Sequence, residues 1–254
     1  MILAIDIGNT NITLGGYAED KIQFISRLAT DPRRTADQYA VEIYDLVRLS
    51  GYSVSDTEGS IISSVVPSVA SAISNALKKL TGIEPIQVGP GVKTGVNIKI
   101  DNPAQLGADL VAGAAGALGK YPLPCIIIDM GTATTLSVLD ENGDFLGGVI
   151  AAGVGLTLNA LTQNTALLSA IPIEAPKKAI GKNTVESMQS GLIYGTASMI
   201  DGMVARIETE LGKSCTVVAT GGRAGQIIPY CAKKMLLDDN LLLDGLIKIY
   251  LKNL

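Results

Sequence analysis

The chain has 254 residues, a net charge of −4, 47% hydrophobic residues and 28 glycines, which is the composition of a globular chain long enough for one large domain or two of about 120 residues. The acidic balance argues against nucleic acid or an anionic membrane as partner, and no apolar run approaches the roughly 20 residues of a membrane span. The N-terminus enters a strand at once without a basic segment, so it does not read as a signal peptide.

Met1 to Ile5 is a short apolar run of strand formers, ending in Asp6-Ile7-Gly8-Asn9-Thr10. Thr13, Leu14 and Tyr17 read as a returning strand, so Gly8-Asn9 is a tight turn, and Gly16 to Leu28 continues the sheet. A helix begins at Thr35 or Asp37 and ends at Gly51, with apolar positions at Tyr39/Ala40, Ile43/Tyr44 and Val47. Gly59 to Val66 is an apolar strand stopped by Pro67; Ser68 is expected to cap a helix through Leu80, with Gly82 past its end. A short strand covers Pro85 to Val88, a loop Gly89 to Gly95, and an extended piece Asn97 to Ile100. A helical turn begins at Asp101-Asn102-Pro103, and Ala108 to Lys120 is an Ala/Gly-rich helix. Pro122-Leu123-Pro124 marks a domain boundary, dividing the chain into 1–121 and 122–254.

The second half repeats the opening. Ile126-Ile127-Ile128 leads to Asp129-Met130-Gly131-Thr132, Leu136 to Leu139 returns, Asn142-Gly143 turns again, and Phe145 to Ile150 is a third strand. A helix follows near Leu156 to Leu161, then a Pro-rich extended stretch over Ile171 to Ala179. A long helix runs from Val185 to about Leu211, a strand covers Thr216 to Ala219 before Thr220-Gly221-Gly222, and a final helix covers Leu242 to Leu251. Strands alternating with helices indicate an α/β fold.

A carboxylate at a strand end, followed by Gly and small polar residues, suits a phosphate–metal site. The glycine lets backbone N–H groups approach an anion, and the Asp can hold a hydrated cation. One copy alone reads as an ordinary hairpin; two copies, one per half, resemble the actin/hexokinase/Hsp70 superfamily. That resemblance implies duplicated actin-like (ribonuclease H-like) domains with a nucleotide cleft between them. Other site types fail. There is no histidine, which excludes Ser-His and Cys-His triads and histidine metal sites, so a general base must be a carboxylate, Lys, Tyr or Cys. Cys125, Cys215 and Cys231 are too scattered for a zinc site or a disulfide framework and read as reduced thiols of a cytoplasmic protein. Gly212-Lys213-Ser214 lacks the glycine of a Walker loop, having Ile207 in its place, and Gly89-Pro90-Gly91 is followed by Gly95, one residue late for a dinucleotide fingerprint.

A set of motifs in order narrows the resemblance: Asp6 to Asn11, Gly89 to Gly95, Asp101-Asn102-Pro103, Gly107-Ala108-Asp109, Asp129 to Thr134, Gly147 to Ile150, Gly181 to Thr184, and Thr220-Gly221-Gly222. Over its full length the chain resembles the type III pantothenate kinases. The resemblance implies ATP-dependent phosphorylation of pantothenate, the first step of coenzyme A synthesis, by a homodimer that uses Mg²⁺ and a monovalent cation, K⁺ or NH₄⁺. Carried onto this chain, it assigns Asp6, Ile7, Gly8, Asn9, Thr10, Asn11, Ile12 and Thr13 to the ATP phosphates. Thr132, Gly221 and Gly222 become further nucleotide contacts, and Asp129 the monovalent-cation ligand. Asp6 holds Mg²⁺ through water, Asp109 is the general base, and Ile100, Gly107, Ala108, Asp109, Leu110 and Thr184 face the acceptor. The apolar stretch Leu192 to Val204 is offered as a dimer interface.

Two positions depart from the family pattern: Leu110 stands where an Arg is usual, and Ile100 where many members have Tyr. Leucine cannot make the paired charge-assisted bonds of an arginine. A kinase of the same fold for another small hydroxyl compound, and a non-catalytic nucleotide-binding accessory protein, therefore stand as alternatives. Each singled-out residue also has a plain structural reading. Asp109 in a first helical turn complements the helix dipole, which is expected to keep it ionised; Thr184 serves as an N-cap; and Gly221-Gly222 form a strand-to-helix turn.

Overall fold

The computed structural model describes residues 1–254. The first elements are β1 (Ile2–Ile7), β2 (Asn11–Ala18), β3 (Lys21–Ala29), α1 (Ala36–Leu49), β4 (Gly59–Ser64), α2 (Pro67–Thr81) and β5 (Ile86–Gln87). Then come β6 (Asn97–Ile98), α3 (Ala108–Ala117), β7 (Cys125–Met130), β8 (Ala133–Leu139), β9 (Asp144–Ala152) and α4 (Val154–Asn164). The chain closes with α5 (Thr184–Leu211), β10 (Thr216–Thr220), the single turn α6 (Ala224–Ile227), β11 (Leu236–Leu237) and α7 (Leu241–Leu251).

Two compact units form. The first comprises Met1–Asn97, Asp101–Lys120 and Asn240–Leu254; the second comprises Ile98–Ile100 and Tyr121–Asp239. Against a single cut after residue 121, the boundary falls after Lys120, α7 returns to the first unit and a three-residue piece joins the second.

The first unit is built on a sheet of order β3-β2-β1-β4-β5. β1 pairs antiparallel with β2 and parallel with β4. Leu3, Ile5 and Ile7 of β1, with Ile12 and Leu14 of β2, face a core shared with Tyr39, Ile43 and Val47 of α1 and Ile73 and Leu77 of α2. α1 starts where Thr35 and Gln38 form a reciprocal capping box. α2 starts one residue before Ser68: Pro67 takes the first turn, where its missing N–H costs nothing, and the N-cap Val66 makes no side-chain bond. Gly82, at φ 75°, ends it as expected. On the opposite sheet face, a Cβ at Gly59 would collide with the Tyr250 ring of α7. α3 packs against α7 through glycines: side chains at Gly116 or Gly245 would strike backbone of the other helix. α3 stops at Ala117, short of the expected Lys120, and Lys248 Nζ donates at 2.8 Å to the Gly116 and Leu118 carbonyls at its end.

The second unit repeats the plan with a sheet of order β11-β10-β7-β8-β9-β6. Ile126, Ile128 and Met130 of β7, Leu136 of β8 and Val217 and Ala219 of β10 face α4, α5 and α6. Leu192, Ile193, Ala197, Ile200 and Val204 of α5 belong to this core, so the apolar residues of the stretch offered as an interface point inward. The outward face of α5 carries Gly191, Gly195, Ser198 and Gly202 instead. Residues 171–179 form no regular element; they are tied to α5 by Gln189 Nε2, donating to the Pro172 carbonyl at 3.3 Å, and Tyr194 Oη, donating to the Pro176 carbonyl at 2.6 Å. No helix of the protein is long and apolar enough to cross a membrane.

Candidate active site

Asp6 lies near the end of β1, on the face opposite the α1/α2 core. Strand register sets its neighbours: Asp6 pairs with Ser63 of β4 on one side and Thr13 of β2 on the other, and Thr13 pairs with Arg27 of β3. Paired residues on adjacent strands point to the same face. The result is a polar row, Ser63–Asp6–Thr13–Arg27, across four strands. The turn beside it is closed by Gly8 N–H donating to the Asn11 carbonyl at 3.0 Å. Thr30 straps the turn to β3: its Oγ1 donates to the Gly8 carbonyl at 2.7 Å and its N–H to the Thr10 carbonyl at 3.0 Å. Asn9, Thr10 and Asn11 are exposed at the tip, while Ile7 and Ile12 bury their side chains in the core, leaving only backbone to meet a ligand.

The second unit carries the same row. Asp129 pairs with Thr220 of β10 and Thr135 of β8, and Thr135 pairs with Ile150 of β9. The row therefore reads Thr220–Asp129–Thr135–Ile150. Its turn is tighter, with Gly131 N–H donating to the Ala133 carbonyl at 3.0 Å. Gly153 N–H donates to the Thr132 carbonyl at 3.1 Å. Gly221, at φ 91°, lies against Asp129; a Cβ there would collide with the carboxylate and the Met130 backbone. Thus Asp129, Thr132 and Gly221 come together around one turn, with Gly222 following.

Asp109 sits in the first turn of α3 with Gly107 as N-cap and no side-chain cap. A side chain at Gly107 would occupy the place of the Asp109 carboxylate. Leu110 N–H donates to Asp109 Oδ1 at 2.9 Å. Burial pushes the Asp109 pKa up, and the N–H bonds of Leu110 and of Asp109 itself only partly oppose it. Desolvation thus opposes the ionised form that the helix dipole favours, and it sets the direction of the shift. Leu110 and Ala108 are half-buried beside it. Ile100 lies in the second unit, near Gly147, where a Cβ would come 3.9 Å from Ile100 Cγ2. Thr184 is the first residue of α5, not its cap: Asn183 takes that role, its side chain accepting from Glu186 N–H at 2.9 Å. Thr184 lines a cavity of about 680 Å³ with Lys182, Asn183, Ser187, Leu161 and Leu168.

The residues fit the ions that the family resemblance implies. Ser63 Oγ is fully buried with no hydrogen-bond partner, so the Asp6 row contains more polar capacity than the chain itself satisfies. A hard, hydrated divalent cation at Asp6 suits that donor set. In the second turn the Thr132 and Gly131 carbonyls crowd Gly153, and the Asp129 carboxylate is the oxygen ligand a hard cation takes. Ser63 and Arg27 were not singled out from sequence, and Thr220 only as the first residue of the Thr220-Gly221-Gly222 motif. Their only signal as row members is strand register, which pairs residues far apart in the chain.

Comparison with known proteins gives the assignment. The family model for type III pantothenate kinase matches residues 2–206. The type III pantothenate kinase of Exiguobacterium sibiricum is 43% identical over 253 residues, covering 100% of each chain. In fold, the chain resembles a conserved Campylobacter jejuni protein assigned to the Baf family of transcriptional activators, with TM-score 0.63 and 19% identity over 99% of this chain and 98% of that one. It also resembles the ADPNP-bound activator of 2-hydroxyisocaproyl-CoA dehydratase from Clostridium difficile, with TM-score 0.56 and 15% identity over 98% and 93% of the two chains. Those two likenesses bear on fold alone, and they agree with duplicated actin-like domains; the full-length relatives favour pantothenate over another acceptor or a non-catalytic role. The chain belongs to the type III pantothenate kinase family and is therefore a kinase that phosphorylates pantothenate for coenzyme A synthesis.

Proposed function

We propose that Asp109 is the general base of this kinase, accepting the proton of the pantothenate hydroxyl as that oxygen attacks the terminal phosphorus of ATP. Phosphoryl transfer asks little covalent chemistry of a protein: it needs an in-line hydroxyl, charge neutralisation and a proton acceptor. The observation that carries the assignment is the Asp109 carboxylate. It is partly desolvated at the head of α3, its pKa is raised towards working pH, and Gly107 leaves the space it occupies. A base is most effective when its pKa lies near the operating pH. Asp109→Asn keeps the size and removes the base, so turnover should fall roughly 10²–10⁴-fold with ATP affinity unchanged. Full turnover in that variant would reject the assignment.

The remaining roles follow the hairpins. Residues 6–13 hold the ATP phosphates, and Asp6 holds Mg²⁺ through water, which supplies charge neutralisation. Thr132, Gly221 and Gly222 contact the nucleotide, and Asp129 holds K⁺ or NH₄⁺. Ile100, Gly107, Ala108, Leu110 and Thr184 bound the pantothenate. Leu110 and Ile100 supply apolar surface there, so pantothenate is held by packing and neutral hydrogen bonds where an arginine would make charged ones.

The working form is a homodimer in the cytoplasm. Gly191, Gly195, Ser198 and Gly202 form an exposed small-residue seam on α5, and a Cβ at any of the three glycines meets nothing within 4 Å. The spacing of four, three and four residues keeps the seam on one helix face. A second α5 can approach such a surface closely. Gly195→Trp should shift sedimentation from dimer to monomer; a wild-type monomer at working concentration would reject the dimer. Three free cysteines agree with a reducing compartment.

A further inference from the structure

We propose that Arg27 is part of the nucleotide site and pairs with the outer phosphates of ATP; the inference rests on the ATP assignment of residues 6–13. That hairpin contains no lysine or arginine. A bound triphosphate carries several negative charges, and kinases aim cationic side chains at it in addition to the metal. A cation must therefore come from elsewhere.

Register supplies one. Arg27 is paired with Thr13, the last residue of the phosphate hairpin, and Thr13 is paired with Asp6. Asp6 and Arg27 thus stand two strands apart on one face, roughly 10 Å between backbones. A long guanidinium side chain and a phosphate chain lying along the row close that gap between them. The alternation on β3 supports the facing: Phe24 and Leu28 pack on the α1/α2 core, so Arg27 points away from it. The Thr30 bonds to Gly8 and Thr10 fix the level of β3 against the turn. No acidic side chain forms an ion pair with Arg27, so the guanidinium is available for an anion, which it can bind bidentately.

The second unit is a control built into the chain. At the place equivalent to Arg27 stands Ile150, 75% exposed. Both hairpins are assigned a cation, but the first is assigned most of the phosphate contacts, and the cationic side chain stands on that row. Charged residues on an edge strand also deter sheet-to-sheet pairing, and β3 is an edge strand. Lys21 on the same strand serves that role as well, and it needs neither the Thr13 register nor a guanidinium.

The test is calorimetric titration of wild type, Arg27→Met, Arg27→Lys and the distant surface control Arg48→Met with ATP, ADP and AMP in Mg²⁺ buffer without pantothenate. Ligand-free melting temperatures are measured alongside. Arg27→Met should weaken ATP roughly 10- to 100-fold, leave AMP unchanged and leave the melting temperature unchanged. Arg27→Lys should fall between, and Arg48→Met should match wild type. Wild-type ATP affinity in Arg27→Met, or equal losses for ATP and AMP, overturns the inference while leaving the ATP assignment standing. A wild type that binds no ATP overturns both.

Discussion

The two hairpins of this protein are the same device with different surroundings. Each puts an Asp near a strand end, on the face away from its core, between two hydroxyl residues on the flanking strands: Ser63 and Thr13 in the first unit, Thr220 and Thr135 in the second. They differ at the turn and at the fourth strand. The first turn is longer and strapped by Thr30; the second is short and pressed against Gly221. The first row ends in Arg27 and the second in Ile150. A duplicated frame thus sets the position of each carboxylate, and in the proposed assignment the neighbours decide which ion it serves.

The proposed general base, Asp109, has no such twin. Asp244 also sits in the first turn of a helix, but Lys120 neutralises it at 2.6 Å. Asp109 has no lysine beside it, and burial raises its pKa. This difference makes the largest effect expected here. The acid limb of kcat/KM should lie above the ordinary Asp value of about 3.9, and Asp109→Asn should abolish it along with most of the turnover. The stability linkage has a definite sign. A raised folded-state pKa stabilises the fold below the unfolded pKa, and that contribution is lost as pH rises through the folded value. Asp109→Asn should therefore melt higher than wild type at neutral pH, with the gain fading in acid. An Asn variant that melts lower at neutral pH would contradict this.

The turns themselves should differ in tolerance. Gly221→Ala forces a Cβ into Asp129 and the Met130 backbone at a φ of 91°, so thermal or chemical unfolding should show a loss of about 1–3 kcal/mol. Gly8→Ala meets only the Asn11 carbonyl at 3.2 Å, and the loss should be smaller. Equal losses would mean that the two turns are not packed differently. The smallest effect is at Ser63. Its hydroxyl is buried and unsatisfied without ligand, so Ser63→Ala should leave ligand-free stability unchanged or raise it by about 1 kcal/mol. A clear loss of ligand-free stability would show that the hydroxyl already has a partner.

Local features were legible in the sequence because their causes are local. The two Asp-x-Gly turns, the Thr35 cap and the Gly82 stop are each written within a few residues. The α2 start was misread by two residues, Ser68 being read as the cap that Val66 takes, because Pro67 competes with Ser68 for the same signal. The rows were not legible, since Ser63 meets Asp6 only through the parallel pairing of β1 with β4. Nor was the return of α7 to the first unit, which depends on glycine contacts with α3. The face of α5 was readable in principle. A 3.6-residue period puts Leu192, Ile193, Ala197, Ile200 and Val204 on one side and the glycines on the other, yet an apolar run alone suggested an interface where the protein has its core.

The most direct test of the specialised hairpins is a paired titration: ATP affinity in Mg²⁺ buffer, and turnover against K⁺ concentration, in Asp6→Asn and Asp129→Asn. Asp6→Asn should weaken Mg²⁺-ATP by roughly 10–100-fold while the remaining activity still rises with K⁺. Asp129→Asn should bind Mg²⁺-ATP as wild type does and turn over equally in Na⁺ and K⁺. An undiminished K⁺ response in Asp129→Asn, or undiminished Mg²⁺-ATP binding in Asp6→Asn, would contradict the division of labour between the two hairpins.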